Sequence, residues 1–172
     1  RALFSQDGGT GYGSASYVMP VGSDGLRLGV SYSYLGYTLL EKQGIPSGDG
    51  LARDMMAFAL YPIVRSRNFN VFVQAGYDYQ KFIDNPEAGL SIHRTSRSIL
   101  LTLSGDLRDG LFGGGISNFS LGYVNGTLDN PTAEVTTPVG RFQKINPFYS
   151  RLQAVGDSKF LFFFRYAGQF TH

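Results

Sequence analysis

Two histidines, His93 and the terminal His172, are the residues best suited to metal or proton-transfer chemistry, and they stand far apart with no HExxH or other ligand spacing around either. Metal binding is not expected. Ser, His and Asp all occur, but nothing sets them in a nucleophile elbow or a triad. The run GGTGYG, Gly8 to Gly13, has no helix after it to aim backbone amides at a phosphate, and so reads as a loop entry. The run Gly113-Gly114-Gly115 reads as a turn. With no cysteine, disulfide frameworks and thiolate metal sites are excluded. Neither an enzyme nor a cofactor is expected. What remains is a scatter of polar and charged residues: Arg27, Gln74, Asp78, Asp106, Arg151, Arg165 and Gln169, with Gln80 and Gln153 beside them. Facing one enclosed space, they would either hydrate a passage or pair across it and plug it. Spacing alone leaves both open.

Strands must position these residues. Eight segments have a two-residue period, at about 11–20, 26–40, 53–64, 68–82, 94–107, 115–127, 141–156 and 159–170, and none has a convincing helical period. In NFNVFVQAGYDYQ the odd positions are Phe69, Val71, Val73, Ala75, Tyr77 and Tyr79, and the even ones include Asn70, Gln74, Asp78 and Gln80. LRLGVSYSY sets Leu26, Leu28, Val30, Tyr32 and Tyr34 against Arg27, Gly29, Ser31 and Ser33. In SILLTLSGDL, Ile99, Leu101, Leu103 and Leu107 oppose Ser98, Thr102, Ser104 and Asp106, with Leu100 the exception. KFLFFFRYAGQF, from Lys159, sets Phe160, Phe162, Phe164 and Tyr166 on one face, and Leu161, Phe163, Arg165 and Gln169 on the other.

Alternation alone fits a soluble sheet as well as a membrane barrel. The second face discriminates, since it carries Ser, Thr, Asn, Gln and Gly with a few Arg and Asp, where a soluble sheet usually shows many Lys and Glu. That is the character of a crowded wet interior. Arg165 fixes the choice of face: toward lipid near mid-bilayer it would cost roughly 2–4 kcal/mol, whereas inside it is hydrated or paired. Tyr12, Tyr37, Tyr61, Tyr79 and Tyr149 gather toward segment ends, as an interfacial girdle would place them.

Composition agrees with an all-β chain. It has 172 residues, 42% hydrophobic content, 15% aromatics, 23 glycines and no Trp, which favours strands and turns and suffices for one packed domain. No run approaches the roughly 18 apolar residues of a spanning helix, and no signal peptide opens the chain. A net charge of +2 is too small to argue for nucleic acid. Links between segments alternate: short VGSDG, long EKQGIPSGDGLA, short RSR, long IDNPEAGLSIH, short RDGLFGGG, long DNPTAEVTTPVG, short GDS. Outer-membrane barrels alternate short periplasmic turns with longer outer loops in this way. The expected fold is therefore an antiparallel transmembrane β-barrel, about eight strands of it over residues 1–172. With short links periplasmic, the eight segments start and finish at the outer surface, and QFTH lacks a terminal aromatic, so a piece of a larger barrel is expected. Eight strands are also enough to close.

The run ALYPIVRSRNFNVFVQAGYDYQ, with Tyr61-Pro62 ahead of Arg65-Ser66-Arg67 and an Asn-rich strand start, resembles the barrel of two-partner secretion transporters of the ShlB/FhaC/HecB type. YVMPVGSDGLRLGVSYSYLGYTL and GRFQKINPFYSRLQAVGDSKFLFFFRYAGQF are similar, in the family's order. The resemblance implies an outer-membrane pore in a Gram-negative bacterium that translocates, and activates in some members, a large exoprotein such as a hemolysin or adhesin. It implies as partners the secreted exoprotein, outer-membrane lipid and the transporter's own periplasmic POTRA domains, with no nucleic acid. Neither the POTRA domains nor the family's Val-Arg-Gly-Tyr-type pore motif lies within these residues. Arg65, Ser66 and Arg67 then form a periplasmic turn that either pairs with an acidic partner or is simply solvated. Two other classes compete: a small autonomous outer-membrane barrel serving structure, adhesion or lipid chemistry, and a soluble ligand-binding barrel.

Overall fold

The computed structural model describes residues 1–5, 9–39, 47–87, 89, 91–131, 139–156 and 160–171. His172, Lys159 and Gly8, discussed above, lie outside the described residues, as does most of the links after residues 39 and 131. The strands are β1 (Ala2–Phe4), β2 (Thr10–Val21), β3 (Leu26–Leu39), β4 (Gly48–Arg65), β5 (Phe69–Pro86), β6 (Ile92–Asp109), β7 (Gly115–Asp129), β8 (Gly140–Ala154), β9 (Leu161–Ala167) and β10 (Phe170–Thr171). Each pairs antiparallel with its chain neighbour from β1 to β8, and β9 and β10 both line the far side of β8. The sheet is open, because β1 and β9 do not meet. An all-β antiparallel sheet of this kind is what part of a barrel wall consists of.

The eight expected segments are all strands. β9 and β10 are one segment interrupted at Gly168 and Gln169, since Ala167 faces Phe148 and Phe170 faces Ile145 in the same register. A ninth strand, β1, was not legible: three residues are too few to display a period. It lays Ala2 opposite Gly13 and binds the Arg1 backbone to Ser14. The eight segments themselves start and finish on the long-link side as expected, with Thr10 facing Tyr37 and Phe170 facing Ile145.

Strands β4, β5 and β6 are each 18 residues long and run into what reads as loop. Link 87–91 is consequently no longer than link 110–114. The asymmetry between rims thus lies partly in strand ends that project past the apolar zone. The run Tyr61 to Val64 closes β4 within one residue of the expected end, with a bulge just after Pro62. Pro62 faces Phe72, Val64 faces Val71, and the intervening Ile63 is a bulge, placed where Pro62 supplies no ladder N–H.

Ser66 holds the next turn through its own side chain. Its Oγ donates to the Phe69 carbonyl at 2.7 Å and accepts from the Phe69 N–H at 2.9 Å. The tight link at 22–25 relies on positive φ at Gly22 and Gly25, 70° and 88°. Close approach explains a different glycine, Gly29, which faces Phe58 across the β3–β4 ladder. A Cβ there would stand 2.3 Å from the ring edge. Gly29→Val is therefore expected to lower stability by roughly 1–3 kcal/mol, read as an earlier urea midpoint in micelles. Adding Phe58→Ala should recover part of the loss, and an unchanged midpoint in the single variant would show that the ring moves freely.

Among the described residues no hydrophobic side chain is buried; the buried polar ones are Ser96, Ser98, Ser117 and Ser150. This is the opposite of a soluble domain. No second layer of described residues covers either face, so the rows of Leu, Val, Tyr and Phe need a hydrocarbon solvent. Among the described residues no helix is long and apolar enough to cross a membrane.

Candidate functional site

Ladder partners share a face, so the register sorts every side chain. One face carries Arg27, Ser31, Ser33, Asp54, Asn70, Gln74, Asp78, Gln80, Ser98, Thr102, Ser104, Asp106, Asn118, Ser120, Asn146 and Ser150. The other carries Met19, Leu28, Val30, Ala57, Val73, Tyr77, Leu101, Leu103, Leu121, Tyr123 and Ile145. Along β4 and β6 the polar row is the less exposed of the two, as on the inside of a curve.

The polar face is wired by hydrogen bonds between strands. Asn70 Nδ2 donates to both Asp106 oxygens at 3.3 and 3.1 Å, and Gln80 Nε2 donates to Asp54 at 2.9 Å. Nearer the long-link rim, Tyr37 Oη donates to Asp84 at 2.7 Å while Arg94 forms an ion pair with the same carboxylate. The Arg165 guanidinium lies over the Phe148 ring, 5.4 Å from its centre. Part of the charge is thus paired and part is left to water. Apolar side chains interrupt the polarity: Met56, Leu60, Phe72, Phe142 and Phe148 lie singly among the polar rows, while Val18, Phe58, Leu100 and Val124, with Gly29 and Gly76 between them, form a thin apolar stripe. Leu100, the exception in its segment, fits there opposite Gly76.

The register groups Arg27, Gln74, Asp78, Asp106 and Arg165 on this face, with Gln169 between the paired residues Ala167 and Phe170 and hence opposite Asn146. Arg151 does not join them. It faces Ser117 and Phe164, in the row of Phe69 and Leu107, on the apolar side of the sheet, and Gln153 follows it. Charge argued for the polar face, but strand alternation ties Arg151 to Tyr149, and the backbone prevails. Its charge is answered locally by Asp109, at 2.8 Å through both terminal nitrogens. Tyr12 and Tyr37 depart in the other direction: both point to the polar face, leaving Tyr61, Tyr79 and Tyr149 of the expected girdle on the apolar side. Asp54, Asp84 and Arg94 were missed. Extending the alternation of the 68–82 segment to Pro86 would have found Asp84.

On the apolar face, β5 shows Phe69, Val71, Val73, Ala75, Tyr77 and Tyr79 before Lys81. Phe69 to Tyr79 is roughly 34 Å along a strand, or roughly 24 Å after a 45° tilt, the height of a barrel's lipid-facing band. Arg53, Lys81, Arg97 and Arg141 bound this band on the long-link side. Asp109 and Arg151 bound it on the other.

An uncovered antiparallel sheet with one wet face and one hydrocarbon-height apolar face defines a class, the wall of a membrane β-barrel. Over 108 residues the chain is 28% identical to the heme/hemopexin transporter protein HuxB of Haemophilus influenzae (strain 86-028NP), a match that covers 63% of this chain and 19% of that protein. The chain thus spans about one fifth of that relative's length. No family model and no solved structure matches it.

Proposed function

We propose that this chain forms the pore wall of an outer-membrane transporter of the two-partner secretion class, a conduit that performs no covalent chemistry. The observation that carries the reading is the likeness to a transporter, HuxB, over 108 residues of a chain that folds as an amphipathic sheet. In this reading the apolar face meets outer-membrane lipid and the polar face lines the passage for an unfolded exoprotein. Gln74, Thr102, Gly122 and Asn146 form one continuous row of that wall, which offers hydrogen bonds without a large greasy surface to hold the substrate. In this reading Arg65 and Arg67 belong to a periplasmic turn that either pairs with an acidic partner or is solvated.

Thr102→Phe with Gly122→Phe tests this. The pair builds an apolar step into the row while leaving the lipid face untouched, so assembly should be normal and exoprotein in the medium should fall several-fold. Normal secretion by a normally assembled variant would reject the passage role.

A further inference from the structure

We propose that Arg53, Lys81 and Arg97, together with the shallow groove beneath them on the apolar face, form a binding site for a phosphorylated, acylated lipid of the outer leaflet. This rests on the reading of the long-link rim as the outer one. Arg53 and Lys81 are ladder partners, and Arg97 is the diagonal neighbour of Lys81 on the next strand. Directly opposed side chains have Cβ atoms roughly 5 Å apart and diagonal ones roughly 7–8 Å apart, so three cations crowd one spot. Like charges so placed repel. Among the described residues the ion pairs are Arg94 with Asp84 and Arg151 with Asp109, and none reaches these three. An anion between them would relieve the repulsion, and the geometry suits a phosphate group, which accepts from several donors at once.

The second observation lies directly below. Ala57 faces Tyr77 and Ala59 faces Ala75, so small side chains open a trough between the flanking Val30 and Ile99. The trough measures about 720 Å³ and is almost wholly apolar, within the range of small-molecule sites. Ala57 lies four residues from Arg53 along β4, roughly 13 Å. A head group held by the cations would therefore place an acyl chain in the trough. A free phosphate would use only the upper half.

The test is native mass spectrometry of the chain in detergent, counting retained lipid A with both phosphates against the same lipid A after phosphatase treatment. Wild type should retain the phosphorylated form preferentially. Arg53→Ser and Lys81→Ser should weaken that preference roughly fivefold each and roughly 25-fold together. Exchanging the charges, Arg53→Lys with Lys81→Arg, should preserve it. Ala59→Phe, which fills the trough, should weaken retention of both lipid forms, and inorganic phosphate should not displace the lipid. Equal retention of the two lipid forms by wild type, no effect of the Ser pair, or complete displacement by inorganic phosphate would overturn the site while leaving the membrane reading intact. A chain that stays monomeric in plain buffer would remove the membrane reading and this site with it.

Discussion

Leu101→Arg should prevent most of the chain from assembling in a membrane, while Thr102→Arg, one residue along, should leave assembly near normal. Leu101 faces Ala75 on one side and Tyr123 on the other, in the middle of the apolar band. An arginine there meets hydrocarbon with no water to solvate it, at a cost of roughly 2–4 kcal/mol. That is a large share of the 5–15 kcal/mol or so that holds a typical protein folded. Thr102 lies between Gln74 and Gly122 on the polar face, where the same guanidinium finds water, an amide and the space above a glycine. Folding into phosphatidylcholine vesicles, followed by the heat-dependent gel shift of folded barrels and by urea titration, gives the comparison. A weaker form of the contrast should recur at β9, with Phe162→Arg more harmful than Arg165→Ser, because Phe162 lies on the apolar side, in the row of Gln153 and Asp109 at the edge of the band, while Arg165 faces Ser150 on the polar side. Equal losses at Leu101 and Thr102 would show that the two faces have been exchanged.

The period-two pattern made the faces legible because alternation is a property of the backbone and needs no tertiary information. It identified eight segments and placed Arg27, Asp78, Asp106 and Arg165 together without knowledge of which strand pairs with which. Strand ends were harder to read. The residues of β5 beyond Phe82 include Asp84, Asn85 and Pro86, which look like a turn, yet they continue the ladder by pairing with Gly50, Asp49 and Gly48. Asn85 Nδ2 donates to Asp49 at 2.8 Å, so a cross-strand partner converts a turn-like composition into strand. Cross-strand partners are invisible in a single sequence unless the register is already known. The same holds for Phe58, whose presence on the polar face makes sense only once Gly29 is seen opposite it.

Arg151 is the instructive misplacement, and it leads to the second large effect. Asp109→Asn should strongly impair assembly, and adding Arg151→Gln should restore most of it. In the native arrangement the guanidinium grips Asp109 with both terminal nitrogens, donates to Ser117 Oγ at 2.7 Å and donates through Nε to Gln153 at 2.7 Å. Ser117 Oγ lies 3.2 Å from Tyr149 Oη, and Gln153 Nε2 donates to the Leu111 and Gly114 carbonyls of the adjoining link. A cation on the lipid side is thereby neutralised and its donors are occupied, which is the condition for keeping one beside Phe162 and Phe164. Removing the carboxylate charge leaves the guanidinium facing hydrocarbon, whereas removing both charges leaves two amides able to bond each other. Arg151→Lys should fall between, since an ammonium is a point charge that cannot make the two parallel bonds. The vesicle folding assay used for Leu101 separates these outcomes. If Asp109→Asn alone assembles like the native chain, Arg151 is solvated at the rim and the apolar band ends at Tyr149.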